Sequence, residues 1–349
     1  MPNDPQVPWT DEQWARVNQV IQEEATRARV AATFLPLYGP LPPDTDFVRK
    51  NEISYREPQN VLMDARNEFA AAYAALANAM AAGRPDVDAA LSAEQRLTSA
   101  QSILLGPQHI RIDDKDTIKL ATLQVKVPVR NAQMADPEMT SVLALFRRAA
   151  NVLARLEDAV VFRGLGEYPT LPHLRPKGGL VGLPAVWDIH KGQSLDGLWV
   201  PNPRSITISP DPPRSERLVS AVSDAIGRLE HSGHFGPFAL VLGDDLFVVA
   251  QTPDPGSLVL PQDRIIPFLG GGSLLRSSTL PQNHGVMVAL GGTPIELVVA
   301  KDMSLAFLQV TDEPRFLFRV YEKMVLRVRE REAIINLYMP PPNWVVPRA

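Results

Sequence analysis

Apolar residues near the start of the chain recur at helical spacing. Val17, Val20, Ile21, Ala25 and Ala28 share one face, while Glu23, Glu24, Arg27 and Arg29 read as solvated charges, which predicts an amphipathic helix. Its beginning is marked locally. Thr10, with Gln13 three residues on, makes a capping box, and Trp9 and Trp14 are placed to staple the entry. The period breaks at Phe34-Leu35-Pro36, and Leu37-Tyr38-Gly39-Pro40 reads as an extended arm. Residues 46–57 read as a short strand. An alanine-rich run follows in which Leu62, Phe69, Tyr73, Leu76 and Met80 form a heptad-like stripe. Gly83-Arg84-Pro85-Asp86 is a turn, and Val87, Leu91, Leu97 and Leu104 mark a weaker second helix. Together these predict an antiparallel helical hairpin that serves as a packing device.

Alternation takes over from Ile118 to Val127 and predicts a half-buried strand. The longest helical period comes next. Asp136 is placed as its cap and Pro137 at its first position. Met139, Val142, Leu143, Phe146, Ala149, Leu153, Leu156 and Val160 form the stripe, and Gly164 stands as the terminating glycine. Such a helix is well over the usual ~11–12 residues and reads as a spine for a sheet. A further helix is predicted over Ser215–Leu229, with Leu218, Val219, Val222 and Ile226 inward. Phe238-Ala239-Leu240-Val241-Leu242 has the unbroken apolar character of a strand buried on both faces. Strand patterns then dominate at 285–290, 296–300, 304–310, 316–328 and 333–337, punctuated by glycines at 270–272 and 291–292. The fold class is α+β, with helices early and strands late.

Composition narrows the function. Thirty-three prolines in 349 residues is about twice the usual ~5%, and they gather at 36–43, 169–176, 201–213 and 340–347 as ordered loops between elements. A formal charge of −4 provides no basic field for nucleic acid. With no cysteine, disulfides, thiolate metal sites and cysteine nucleophiles are excluded. The first residues lack a basic region followed by an apolar one, so no secretory signal is expected. No apolar run approaches the roughly 18 residues of a membrane span. The expected setting is cytoplasmic, without membrane or nucleic-acid partners.

Candidate chemistry does not assemble. His231 and His234 are two imidazoles separated by Ser232-Gly233, with no third ligand evident. Gly270-Gly271-Gly272-Ser273 lacks the lysine of a phosphate loop. Asp244-Asp245 and Asp113-Asp114 are adjacent pairs, which on strands point to opposite faces. No serine lies in a nucleophile elbow. Neither a catalytic residue, a metal site nor a cofactor is expected; Trp187 and Trp199 offer only the loosest platform for a flavin. An enzyme is not indicated.

Several stretches, in order along the chain, resemble the encapsulins, shell proteins that share the HK97-like fold of phage major capsid proteins and include the linocin or bacteriocin-type family 1 members. Trp9-Thr10-Asp11-Glu12-Gln13-Trp14 and the helix running on to Gly39-Pro40 are similar to the family's N-terminal helix and arm. Glu157-Asp158-Ala159-Val160-Val161-Phe162-Arg163-Gly164 resembles the end of its spine helix, and Gly182-Leu183 the element after it. Gly236-Pro237-Phe238-Ala239-Leu240-Val241-Leu242 is similar to the start of its axial strand. Arg327-Val328 with Ala333-Ile334 is similar to its closing segment.

The resemblance implies an N-terminal helix and arm over 1–45 and an E-loop region over 46–130, carrying a helical insertion at about 62–105. It implies a P-domain over 131–235 and 296–339, an A-domain over 236–295 and a tail over 340–349. The insertion, the loops at 166–178 and 190–214, and the tail depart from the family pattern. The function implied is a structural subunit that closes, with many copies of itself, into an icosahedral bacterial nanocompartment in the cytoplasm. A cargo enzyme would bind inside through a short C-terminal peptide. The matching groove positions are Ala32, Phe34, Pro36, Asp302, Leu305 and Phe307, and the matching pore loop contains Thr252, Pro253, Asp254, Pro255, Gly256 and Ser257. The alternatives are a phage or prophage major capsid protein and, more distantly, a hydrolase or bacteriocin-like protein.

Overall fold

The predicted capping box forms. In the computed structural model Thr10 Oγ1 accepts from Gln13 N at 3.2 Å, and Gln13 Oε1 accepts from Thr10 N at 3.0 Å. They open helix α1, Asp11–Ala28. The described residues are 6–54, 59–81, 87–105, 110–165, 183–184, 186–199, 204–253, 259–311 and 315–341. They divide into two units, Asn51–Asp116 and the remainder.

In the larger unit α1 is followed by a single turn of helix, α2 (Ala31–Phe34), and by strand β1 (Leu37–Tyr38). The predicted arm is therefore no free extension, because Leu37 and Tyr38 pair in parallel with Leu297 and Val298. The 46–57 region divides into β2 (Phe47–Arg49) and β3 (Glu52–Ser54); residues 55–58 lie outside the described residues. Two short strands, β4 (Arg111–Asp113) and β5 (Thr117–Lys119), precede the long β6 (Ala121–Arg130). After a turn of helix, α5 (Asn131–Met134), comes the spine, α6 (Thr140–Arg163).

The spine begins later than its sequence suggests. Asp136 accepts from Glu138 N at 3.1 Å and Thr140 N at 3.2 Å, closing a turn of its own. Met139 then sits at φ 55°, in the left-handed region, as the N-cap. Pro137 thus belongs to the turn and not to the first helical position. The far end agrees with expectation. Gly164 closes α6 at φ 85°, where a Cβ would lie 2.4 Å from both Leu195 O and Gly197 N, so only glycine fits.

Strand β7 (Trp187–Lys191) lies where the sequence patterns assign no strand, and it runs into the loop expected from 190. It completes one sheet in the order β1-β12-β13-β6-β7, where β12 is Ile295–Val310 and β13 Arg315–Val328. The two strand patterns at 296–300 and 304–310 are one strand, because register shifts after Val299, Lys301 and Phe307 absorb the break as bulges. Helices α1 and α6 cover this sheet. Trp9 stacks on Phe318 with centroids 4.9 Å apart, and Trp14 meets Trp9 edge-on at 5.1 Å, the staple seen in sequence.

A second sheet runs β10-β9-β11-β14-β8, made of Leu274–Arg276, Phe238–Leu242, His284–Ala289, Ile334–Tyr338 and Ile206–Thr207 respectively. Every residue of β9 is buried. Helix α7 (Arg214–His231) packs beside this sheet. Asp244 and Asp245 lie in the first turn of a helix, α8 (Asp244–Gln251), and not on a strand as read from sequence. Carboxylates there sit favourably against the helix dipole. A short helix, α9, covers Pro261–Ile265.

The smaller unit is a hairpin of α3 (Gln59–Ala81) and α4 (Val87–Leu105), with β3 paired antiparallel to β4. Its seam differs from the stripe expected. Among the side chains described there, Ala65, Ala72 and Ala79 of α3 and Ala93 and Ala100 of α4 are the buried ones, each series spaced by seven. Tyr73 and Met80 face solvent. Alanine at the seam lets two helices approach closely, which leaves the larger side chains on the flanks.

Candidate functional site

The junction between α1 and α2 holds a dense set of buried charges. Arg29, expected to be solvated, is the C-cap of α1 and nearly enclosed. Its Nε lies 2.5 Å from Glu157 Oε2, its Nη1 2.9 Å from Asp302 Oδ1 and its Nη2 3.1 Å from Glu322 Oε1. Glu157 and Glu322 are fully buried, Asp158 is 2% exposed, and Asp302 reaches solvent. One cation thus faces carboxyls from α6, β12 and β13. Asp158 accepts from Ala31 N at 2.7 Å and from Val30 N at 3.0 Å, holding the start of α2.

Burial shifts these acids strongly. It lifts Glu157 to about 7 against the pull of Arg29, with the neighbouring Asp158 charge adding to the rise. Asp158 is lifted to about 7, again chiefly by burial, although the N–H bonds of Ala31 and Val30 act the other way. Glu322 is raised well above the ordinary range by burial and by the charge of Glu157. Glu24, also expected to be solvated, is buried beside α6, where Asn151 donates to it at 2.9 Å and Arg27 at 2.6 Å.

The expected groove residues border this junction. Ala32 and Phe34 are on α2 and Pro36 follows its C-cap, Leu35; Asp302, Leu305 and Phe307 are on β12. Ala32 and Pro36 are half-buried and Asp302 is exposed. Phe34 and Leu305 are buried, at 8% and 5% exposure. The ring of Phe34 stacks on Phe162, whereas Phe307 packs against Phe316 and Phe318. Arg29, through its pair with Asp302, ties the α2 side to β12. Gln22 adds a second tie by donating to Met303 O at 2.6 Å.

Of the expected pore loop, Thr252 and Pro253 are exposed just after α8, and Asp254, Pro255, Gly256 and Ser257 lie outside the described residues. The other candidate chemistry stays apart. His234 is buried 3.9 Å from Glu330, and no cluster of metal-ligating side chains occurs among the described residues. Trp187 is buried in the main core, and Trp199 meets His284 edge-on at 4.9 Å. None of the described helices is long and apolar enough to cross a membrane.

Sequence reasoning quoted Glu157-Asp158 as a motif but missed Arg29 and Glu322 as its partners. The available signal was Glu322 within an otherwise strand-like apolar run, a charge that needs a counter-charge if buried.

Known proteins resemble this chain over nearly its whole length. Residues 185–325 match the family model described as encapsulating protein for peroxidase. The type 1 encapsulin shell protein EncA of Myxococcus xanthus is 24% identical over 333 residues, covering 95% of this chain and 93% of that protein. The virus-like particle from Pyrococcus furiosus superposes with a TM-score of 0.59 at 13% identity, over 93% of this chain and 99% of that one. A Mycobacterium phage Bobi structure gives 0.51 at 12% identity, over 91% and 90%. The spine helix across a long antiparallel hairpin, the fully buried strand β9 and these likenesses lead to one assignment: the chain has the HK97-like capsid fold and is similar, over nearly its whole length, to the encapsulin shell proteins.

Proposed function

We propose that copies of this chain close into an icosahedral shell that encloses a cargo enzyme, held inside by a short peptide bound along α2 and β12. The observation that carries the reading is end-to-end likeness: no large part of the chain is left over to serve another purpose. A closed shell needs heterologous contacts that do not run on into filaments. The α3–α4 hairpin supports this, since Tyr73, Met80, Val87 and Leu91 are exposed in a single copy and a neighbouring copy would cover them. For cargo, the reading is supported by the half-exposed Ala32 and Pro36 at α2, the partly buried Phe307 on β12 and the exposed Asp302 carboxylate on the same strand. An aliphatic peptide with a basic residue matches that chemistry.

Particle mass with and without a co-expressed candidate cargo tests both parts. Hollow shells that retain an enzyme only when its C-terminal peptide is intact support the full reading. Shells that take up DNA instead favour a capsid protein proper.

A further inference from the structure

Three buried carboxyl groups and one half-exposed one around a single arginine cannot all be ionised at low cost, because an uncompensated buried charge is strongly unfavourable. Arg29 neutralises one. The Glu157 and Glu322 carboxyls, from α6 and β13, converge on neighbouring nitrogens of one guanidinium, 2.5 Å from Arg29 Nε and 3.1 Å from Arg29 Nη2, and none of their four oxygens has a hydrogen-bond donor of its own. As two carboxylates they can only repel. With one proton between them, one becomes a donor and the pair turns attractive. Asp158 uses its oxygens on Val30 and Ala31, so it cannot take over that role without loosening α2.

We infer that this cluster is a proton-operated clamp: one proton shared by Glu157 and Glu322 holds the turn from α1 to α2 against the body of the protein, and loss of that proton releases the turn. The groups facing the shared proton are Arg29 from α1, Asp158 from α6 and Asp302 from β12. On the outer side of Asp158 a cavity of about 230 Å³ is lined also by Arg155 and Arg276 and by Asn151 and Ser277 to Thr279. That opening brings water to the outer side of Asp158 and of Val30, at the turn itself. The clamp stands on the cluster alone. Its consequence, looser seating of a cargo peptide as pH rises, rests on the groove reading above.

The sign follows from the direction of the shifts. Closed-state acids bind their protons more tightly than the ordinary 4.5 of a free glutamate. The stabilisation is fully present below that value and is lost as pH rises to about 7, where Glu157 ionises.

Hydrogen exchange of the purified full chain without cargo, read on peptides spanning 28–36 and corrected for intrinsic rates, tests the clamp. Opening should increase by up to about tenfold per pH unit between roughly pH 5 and 7. Peptides from β9 should show no such trend. Glu322→Gln keeps a donor for Glu157 and removes one titrating group, so it should flatten the profile and protect 28–36 at pH 8. A flat wild-type profile overturns the clamp whether or not the variant folds, and so does a Glu322→Gln profile that keeps the wild-type slope. Cargo retention is measured separately: a pH-dependent turn with pH-independent retention leaves the clamp standing and removes only its link to the groove.

Discussion

At the residue scale, two acids with opposite shifts set opposite pH behaviour in one molecule. Asp46 is held down to about 2 by hydrogen bonds from Lys191 and Lys323, both at 2.7 Å. A lowered carboxylate stabilises above its free value of 3.8, and that contribution is lost as pH falls towards about 2. The Glu157–Glu322 pair does the reverse and weakens as pH rises. Asp46→Asn should therefore lower the urea midpoint at pH 6, with the difference from wild type closing in strong acid. A difference that persists below pH 2 would show that the lysine pairing is not its source. The cap residue provides a simpler case. Thr10→Ala should cost about 1 kcal/mol, read as a fall in Tm, and Thr10→Ser should restore most of it.

At the element scale, legibility in the sequence tracked how local the cause was. The α1 start was readable because Thr10, Gln13, Trp9 and Trp14 lie within one turn of each other. The spine's stripe and its Gly164 end were readable for the same reason. Its start was misplaced because an Asp136 turn and a left-handed Met139 compete with helix entry at Pro137. Strand β7 and the pairing of Leu37-Tyr38 were hidden, since each depends on a partner far along the chain. The charge cluster was hidden too: Arg29 and Glu322 are remote in sequence, and periodicity alone cannot say that a helix-end arginine turns inward. Gly164→Ala tests the spine's end. The added Cβ meets backbone at 2.4 Å and the residue keeps a strained φ, so a loss of about 1–3 kcal/mol is expected, measured by chemical denaturation. The hairpin seam makes the converse case. Ala72→Leu overfills a contact that buries Ala72 completely and should cost about 1–3 kcal/mol. The loss should appear as faster hydrogen exchange in α3 and α4; unchanged exchange would mean that the alanine seam does not hold the hairpin.

At the scale of the whole molecule, the fold fits the assembly proposed for it. A long hairpin of β12 and β13, a spine helix on its face and a second sheet centred on the fully buried β9 surround one extended apolar core, with a small second cluster around Ile118 and Val298. The paired α3 and α4 expose apolar side chains that the chain itself leaves uncovered. Such a body is suited to repetition, and it contains no convergent catalytic set among the described residues. The size of the purified particle tests this account most directly, measured by size exclusion together with negative-stain imaging. A uniform population of hollow, megadalton shells is the predicted result. A stable monomer of 38.4 kDa, or a small oligomer that never closes at any protein concentration, would contradict it.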